Sequence, residues 1–186
     1  MISFRFSLTP DDFANYSIYV QLEAPGKKQL IFKKYWPIII VMSLVFLINI
    51  INGFVINKFD TTITIGIPVF AFIFLGSLFS IKPRLKKLAL KFAANAENAS
   101  IFQMTDYTFS DTGVIAKDNV KEVKYQWAAF VKKVETPNYF YLFLHSANAL
   151  IIPNRIFRSQ VEKENLRQLL STHLSLDAEV GHLIQQ

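Results

Sequence analysis

The stretches YWPIIIVMSLVFLINIINGFVI (residues 35–56) and ITIGIPVFAFIFLGSLFSI (residues 63–81) decide the reading of this chain. Neither contains an acidic or basic side chain. A helix needs ~20 apolar residues, at 1.5 Å per residue, to cross ~30 Å of hydrocarbon. The pattern predicts a two-helix transmembrane hairpin, with helices over 35–57 and 63–81 and a short external loop over 58–62. Asn49 and Asn52 lie one turn apart in the first run. An unpaired amide in hydrocarbon is costly, so both are expected to face the second helix, face a partner, or sit near the far interface. Gly76 and Ser80 form a small-residue pair that permits close packing.

Working outward, the flanks of both runs are basic. Lys27, Lys28, Lys33 and Lys34 precede the first, and Lys82, Arg84, Lys86, Lys87 and Lys91 follow the second. Between them stands only Lys58, beside Asp60. Short loops rich in Lys and Arg stay cytoplasmic. Both flanks are therefore expected on the cytoplasmic side of the cell membrane, with Lys33, Lys34, Lys82, Arg84, Lys86, Lys87 and Lys91 as anchors at the membrane surface. The formal net charge of +6 is then spent near headgroups rather than on nucleic acid. The first run is longer than the apolar core of a signal peptide, and no small-residue cleavage site follows it. The chain has no cysteine, which excludes disulfides, thiolate metal sites and cysteine nucleophiles.

Before the membrane, residues 1–34 read as a cytoplasmic strand and helix. Ile2, Phe4, Phe6 and Leu8 alternate with polar residues, which is the period of a half-buried strand. Thr9-Pro10-Asp11-Asp12 is a helix start: an N-cap, a proline at the first position, and two acids where the helix dipole favours them. Residues 82–99 form a basic amphipathic helix. It either lies at the headgroup boundary or prolongs the second span as a stalk. Residues 100–186 form one small domain. Short β segments near 102–109, 114–117, 120–125, 127–135, 139–145 and 149–152 are separated by turn residues. Ser159-x-x-Glu162 matches a capping box and opens a closing helix with Leu166, Leu169 and Leu170. The fold class is α+β: a membrane hairpin plus a cytoplasmic antiparallel domain with a C-terminal helix.

Trp127-x-x-Phe130-x-x-x-x-Glu135, Phe140-Tyr141-Leu142-Phe143-Leu144 and Ile151-Ile152-Pro153-x-Arg155-x-Phe157 resemble the C-terminal signature of YcxB-like proteins. Phe4-x-Phe6-x-Leu8-Thr9-x-x-Asp12-Phe13, followed by two apolar runs, is similar to that family too. The resemblance implies membrane placement in a bacterium and little chemistry. The strand order with a final helix also resembles a pleckstrin-homology-like (PH-like) barrel, an analogy of architecture that says little about function.

No catalytic constellation emerges. His145, His173 and His182 are not at helical spacing, no nucleophile elbow surrounds a serine, and the glycines are scattered. No cofactor or metal is expected. The residues to follow are Trp127, as an edge or core aromatic, and Arg155, which is expected to pair with a carboxylate such as Glu135. Alternatively Arg155, Arg158, Lys132 and Lys133 form an anion pocket for a lipid headgroup or an acidic peptide. The expected role is a non-enzymatic membrane adaptor or regulator with a membrane-protein partner or self-association. The alternatives are an anionic-lipid sensor and a subunit of a small transporter or channel.

Overall fold

The computed structural model describes residues 1–56, 61–145 and 147–174, with the backbone alone at 28, 31, 32, 34, 56, 62, 75 and 77–79. Strand β1 (Ile2–Phe6) and helix α1 (Pro10–Ile18) lead through a π turn, Tyr19–Glu23, into α2 (Lys27–Ile56). Helices α3 (Thr61–Phe79) and α4 (Ile81–Ala93) follow. Then come β2 (Thr105–Ser110), β3 (Gly113–Lys117), β4 (Glu122–Gln126), β5 (Lys132–Glu135), β6 (Tyr139–His145), β7 (Asn148–Pro153) and α5 (Gln160–His173). The expected loop at 58–62 and His182 fall largely or wholly outside the described residues.

The start of α1 follows from its local chemistry. The Thr9 hydroxyl accepts from the Asp12 N–H, and the Asp12 carboxylate accepts from the Thr9 N–H at 2.7 Å, a reciprocal capping box. The box expected at α5 is only half formed. Ser159 accepts from the Glu162 N–H, but the Glu162 carboxylate takes the Arg158 N–H instead.

β1 pairs antiparallel with β2, placing Ile2 opposite Phe109 and Phe4 opposite Tyr107. The helices are therefore an insertion between the first two strands of one sheet. β1 belongs to the same sheet as the C-terminal strands β2, β3 and β4.

The sheet orders are β1-β2-β3-β4 and β5-β6-β7. Phe109 and Val114 from the first, Phe140, Leu142 and Ile152 from the second, and Leu166 and Leu170 from α5 form one buried core. Burying each such side chain contributes about 1.5–3 kcal/mol. No closed barrel forms among the described residues, which corrects the barrel expectation. The cause is local: the strand expected over 127–135 begins instead as a 3₁₀ turn, Trp127–Ala129, so the ladder is interrupted between β4 and β5.

Alternation in β6 gives the second sheet two buried faces. Phe140 and Leu142 face α5, while Tyr141 and Phe143 meet Tyr16 and Tyr19 of the α1 segment. That segment in turn packs on α4, where Phe13 stacks on Phe92 with centroids 5.0 Å apart.

By length and composition one described helix is able to cross a membrane, Tyr35–Val55 within α2. The apolar stretch described in α3, Ile63–Phe74, is shorter. The two helices lie side by side: Asn49 Nδ2 donates to Thr64 Oγ1 at 2.9 Å, and the Tyr35 and Phe74 rings lie 5.4 Å apart. Asn49 thus faces the second helix as expected, whereas Asn52 is exposed. Gly76 faces open space among the described atoms, so it does not mediate a close helix contact here.

Candidate functional site

Arg155 sits in the 3₁₀ turn Asn154–Ile156 that follows β7. Its guanidinium donates twice to the Asp12 carboxylate, at 2.6 and 3.2 Å, and once to the Ser7 carbonyl at 3.1 Å. Asp12 is only 5% exposed. Tyr139 Oη donates to the same carboxylate at 3.1 Å and accepts from Asn15 Nδ2 at 2.9 Å. Burial raises the Tyr139 hydroxyl above its ordinary range, so it remains a donor. Two residues on, Phe157 sets its ring edge-on to Phe4 and Phe140. The Pro153-x-Arg155-x-Phe157 turn therefore clamps the N-terminal segment onto the second sheet. A buried carboxylate needs such partners, because an uncompensated charge there costs several kcal/mol.

Arg155 pairs with a carboxylate as expected, but the carboxylate is Asp12 rather than Glu135. Glu135 instead meets α5, accepting from Arg167 at 2.5 and 2.8 Å, with Lys163 Nζ 3.6 Å away. Arg167 also bonds Glu164. The Arg167 hydrogen bond holds the Glu135 carboxyl below its ordinary range, and Glu135 in return pushes Arg167 higher.

The four cations of the expected anion pocket do not converge. Neighbours on a strand point to opposite faces. Lys133 Nζ is buried against α5 and donates to Ser171 Oγ at 2.6 Å, while Lys132 Nζ sits 4.8 Å over the Phe143 ring on the other face. Arg155 is committed to Asp12, and Arg158 is exposed at the start of α5.

Trp127 is mostly buried, and its Nε1–H donates to the Ser110 carbonyl at 3.0 Å, pinning the 3₁₀ turn to the β2–β3 turn. Its ring stacks on His173 with centroids 5.0 Å apart and planes 2° from parallel. Beside this pair opens a groove of about 330 Å³ lined by Trp127, Ala128, Phe130, Val131, Lys132, His173 and Leu174. The groove lining holds no nucleophile beside a base. No group of three His, Asp or Glu side chains suited to a metal exists among the described residues.

Of the expected surface anchors, Lys82 pairs with Glu23 at 2.6 Å and Lys86 with Asp11 at 2.9 Å. Lys33, Arg84, Lys87 and Lys91 are exposed, and the Lys34 side chain lies outside the described residues. These pairs and the Phe13–Phe92 stack hold α4 against the α1 segment.

Residues 109–170 match the model of the YcxB-like protein family. The chain carries a YcxB-like segment. That segment runs from the end of β2 into α5 and contains Trp127, Glu135 and the Arg155 turn. Asp12, the acid that Arg155 holds, lies outside it. No curated protein and no solved structure matches the chain. Asp12 and His173 are the site residues that sequence reasoning missed. Asp12 was legible as a first-turn acid and as part of the N-terminal resemblance but not as the partner of Arg155, and His173 only as an isolated histidine.

Proposed function

We propose that this protein is a two-pass membrane protein whose cytoplasmic module is PH-like and acts as a non-enzymatic adaptor or regulator of another membrane protein. The observation that carries this is the β1–β2 pairing across the helical insertion. Two strands of one sheet lie on one side of a bilayer, so the chain between them crosses an even number of times. If Tyr35–Val55 spans, α3 is the return, its apolar side chains continuing past the shorter stretch to residue 81. Basic flanks favour the cytoplasmic side for the module. A four-stranded sheet, a three-stranded sheet and a closing helix support the PH-like reading, open at the corner between β4 and β5.

The insertion ties this module to the bilayer through α1 and α4, so a partner engaging it is most simply another membrane protein. The Trp127 groove is the face offered. The test is in-membrane crosslinking with mass spectrometry on wild type and Val131→Glu. Val131 is half exposed at the groove, so a charge there blocks entry without disturbing the core. A discrete membrane protein captured by wild type and lost in the variant is the expected result. Turnover of a hydrolase or transferase substrate by the purified protein would sink the non-enzymatic reading.

A further inference from the structure

We infer that α4 seats anionic phospholipid headgroups on the side it turns away from α1. The inference rests on the membrane placement proposed above. The inner side of α4 is already committed: Ala89 is buried, Phe92 stacks on Phe13, and Lys82 and Lys86 hold Glu23 and Asp11. The outer side is different. Arg84, Lys87 and Lys91 follow at three- and four-residue intervals, which places them on one helix face. All three are exposed, and none takes part in an ion pair among the described residues. Leu88 stands among them and is 63% exposed.

In water this face is unfavourable, because like charges at these spacings repel and most of the leucine stays in contact with water. An anionic interface resolves both: phosphates neutralise the cations, and the leucine enters the acyl boundary. The position suits it. Pro83 has no N–H to give the Phe79 carbonyl, and the helix is interrupted at Ser80, between α3 and α4. Arg84, Lys87 and Lys91 then lie at most about 7.5, 12 and 18 Å past Phe79 at 1.5 Å per residue. The headgroup layer is roughly 5–8 Å deep on each side; the long Arg84 and Lys87 side chains span the remainder, and Lys91 reaches it as α4 tilts toward the surface from the break at Ser80.

The test uses the full chain, purified from membranes into mixed micelles with equimolar phosphatidylglycerol and phosphatidylcholine. Retained lipid is read by native mass spectrometry. Wild type is expected to retain phosphatidylglycerol by on the order of fivefold over phosphatidylcholine, the preference one cation contributes at an anionic surface, or by more. The triple variant Arg84→Gln, Lys87→Gln, Lys91→Gln is expected to retain the two lipids as supplied while melting like wild type. The double variant Lys82→Gln, Lys86→Gln is expected to keep the preference and melt lower. A preference that survives the triple variant, or is lost in the double variant alone, overturns the inference. A chain that stays in carbonate-washed membranes yet shows no preference overturns the headgroup seat only. A chain that carbonate releases overturns the membrane placement along with it.

Discussion

Asp12 closes the capping box of α1 and, with the same carboxylate, receives Arg155 and Tyr139. One side chain thus both starts a helix and locks that helix to a sheet. Removing one partner of a fully buried ion pair costs roughly 3–5 kcal/mol. The Arg155 side chain is 45% exposed, so water reaches the carboxylate once it is gone, and Arg155→Ala is expected to lose about 2 kcal/mol. Arg158→Ala is expected to change stability by less than about 0.5 kcal/mol, as exposed positions do. Thermal unfolding of the detergent-solubilised protein separates the two; equal melting would show that the clasp does not stabilise the fold. Glu135 makes a pH prediction. Its folded carboxyl lies below the ordinary value of 4.5 because Arg167 bonds the ionised form. A depressed value means the contribution is fully present above about pH 4.5 and fades as pH falls through the folded value. Wild type should therefore lose more melting temperature between about pH 5 and pH 3 than Glu135→Gln. A parallel acid response in the two proteins would remove Glu135 from the account.

At the scale of elements, β2 and β3 meet at a turn that tolerates one residue type. Gly113 has φ +148°, and a Cβ added there would meet the Tyr125 carbonyl oxygen of β4 at 2.0 Å. Backbone would have to move, breaking the β3–β4 register at Gly113–Gln126. Gly113→Ala is expected to cost more than about 2 kcal/mol, and a variant that melts within a degree of wild type would contradict this geometry. On the same logic Leu166→Ala, in the fully buried row of α5, is expected to cost about 2–5 kcal/mol. Strand β5 shows how an element assigns chemistry. Its two adjacent lysines fall on opposite faces, one under a helix and one over a ring, so a basic pair in sequence is not a basic patch in space.

At the scale of the molecule, the sheet holds together the two ends of the helical insertion, and the proposed topology becomes measurable. The chain has no cysteine, so single cysteines report cleanly. Thr61→Cys is expected to react with an impermeant maleimide on intact cells, and Asn119→Cys only after permeabilisation. Labelling of both from outside, or of neither, would contradict two crossings. The apolar runs, the cap at Thr9, the short strands and the closing helix were legible from sequence because each depends on residues within about ten positions of one another. Hydropathy, period and capping are local, and the YcxB-like signature is a string of such local patterns. The partner of Arg155 was not legible, since Asp12 stands 143 residues away and only the packing of β1 and α1 on the second sheet brings it near. Neither was the break at Trp127–Ala129, where a short stretch compatible with a strand forms a turn that the Ser110 carbonyl holds in place. Local sequence pattern marked the apolar runs and most of the helices and strands, because those depend on near neighbours. Tertiary structure alone decided which charges are paired and which are left facing outward, because pairing depends on distances that chain separation does not encode.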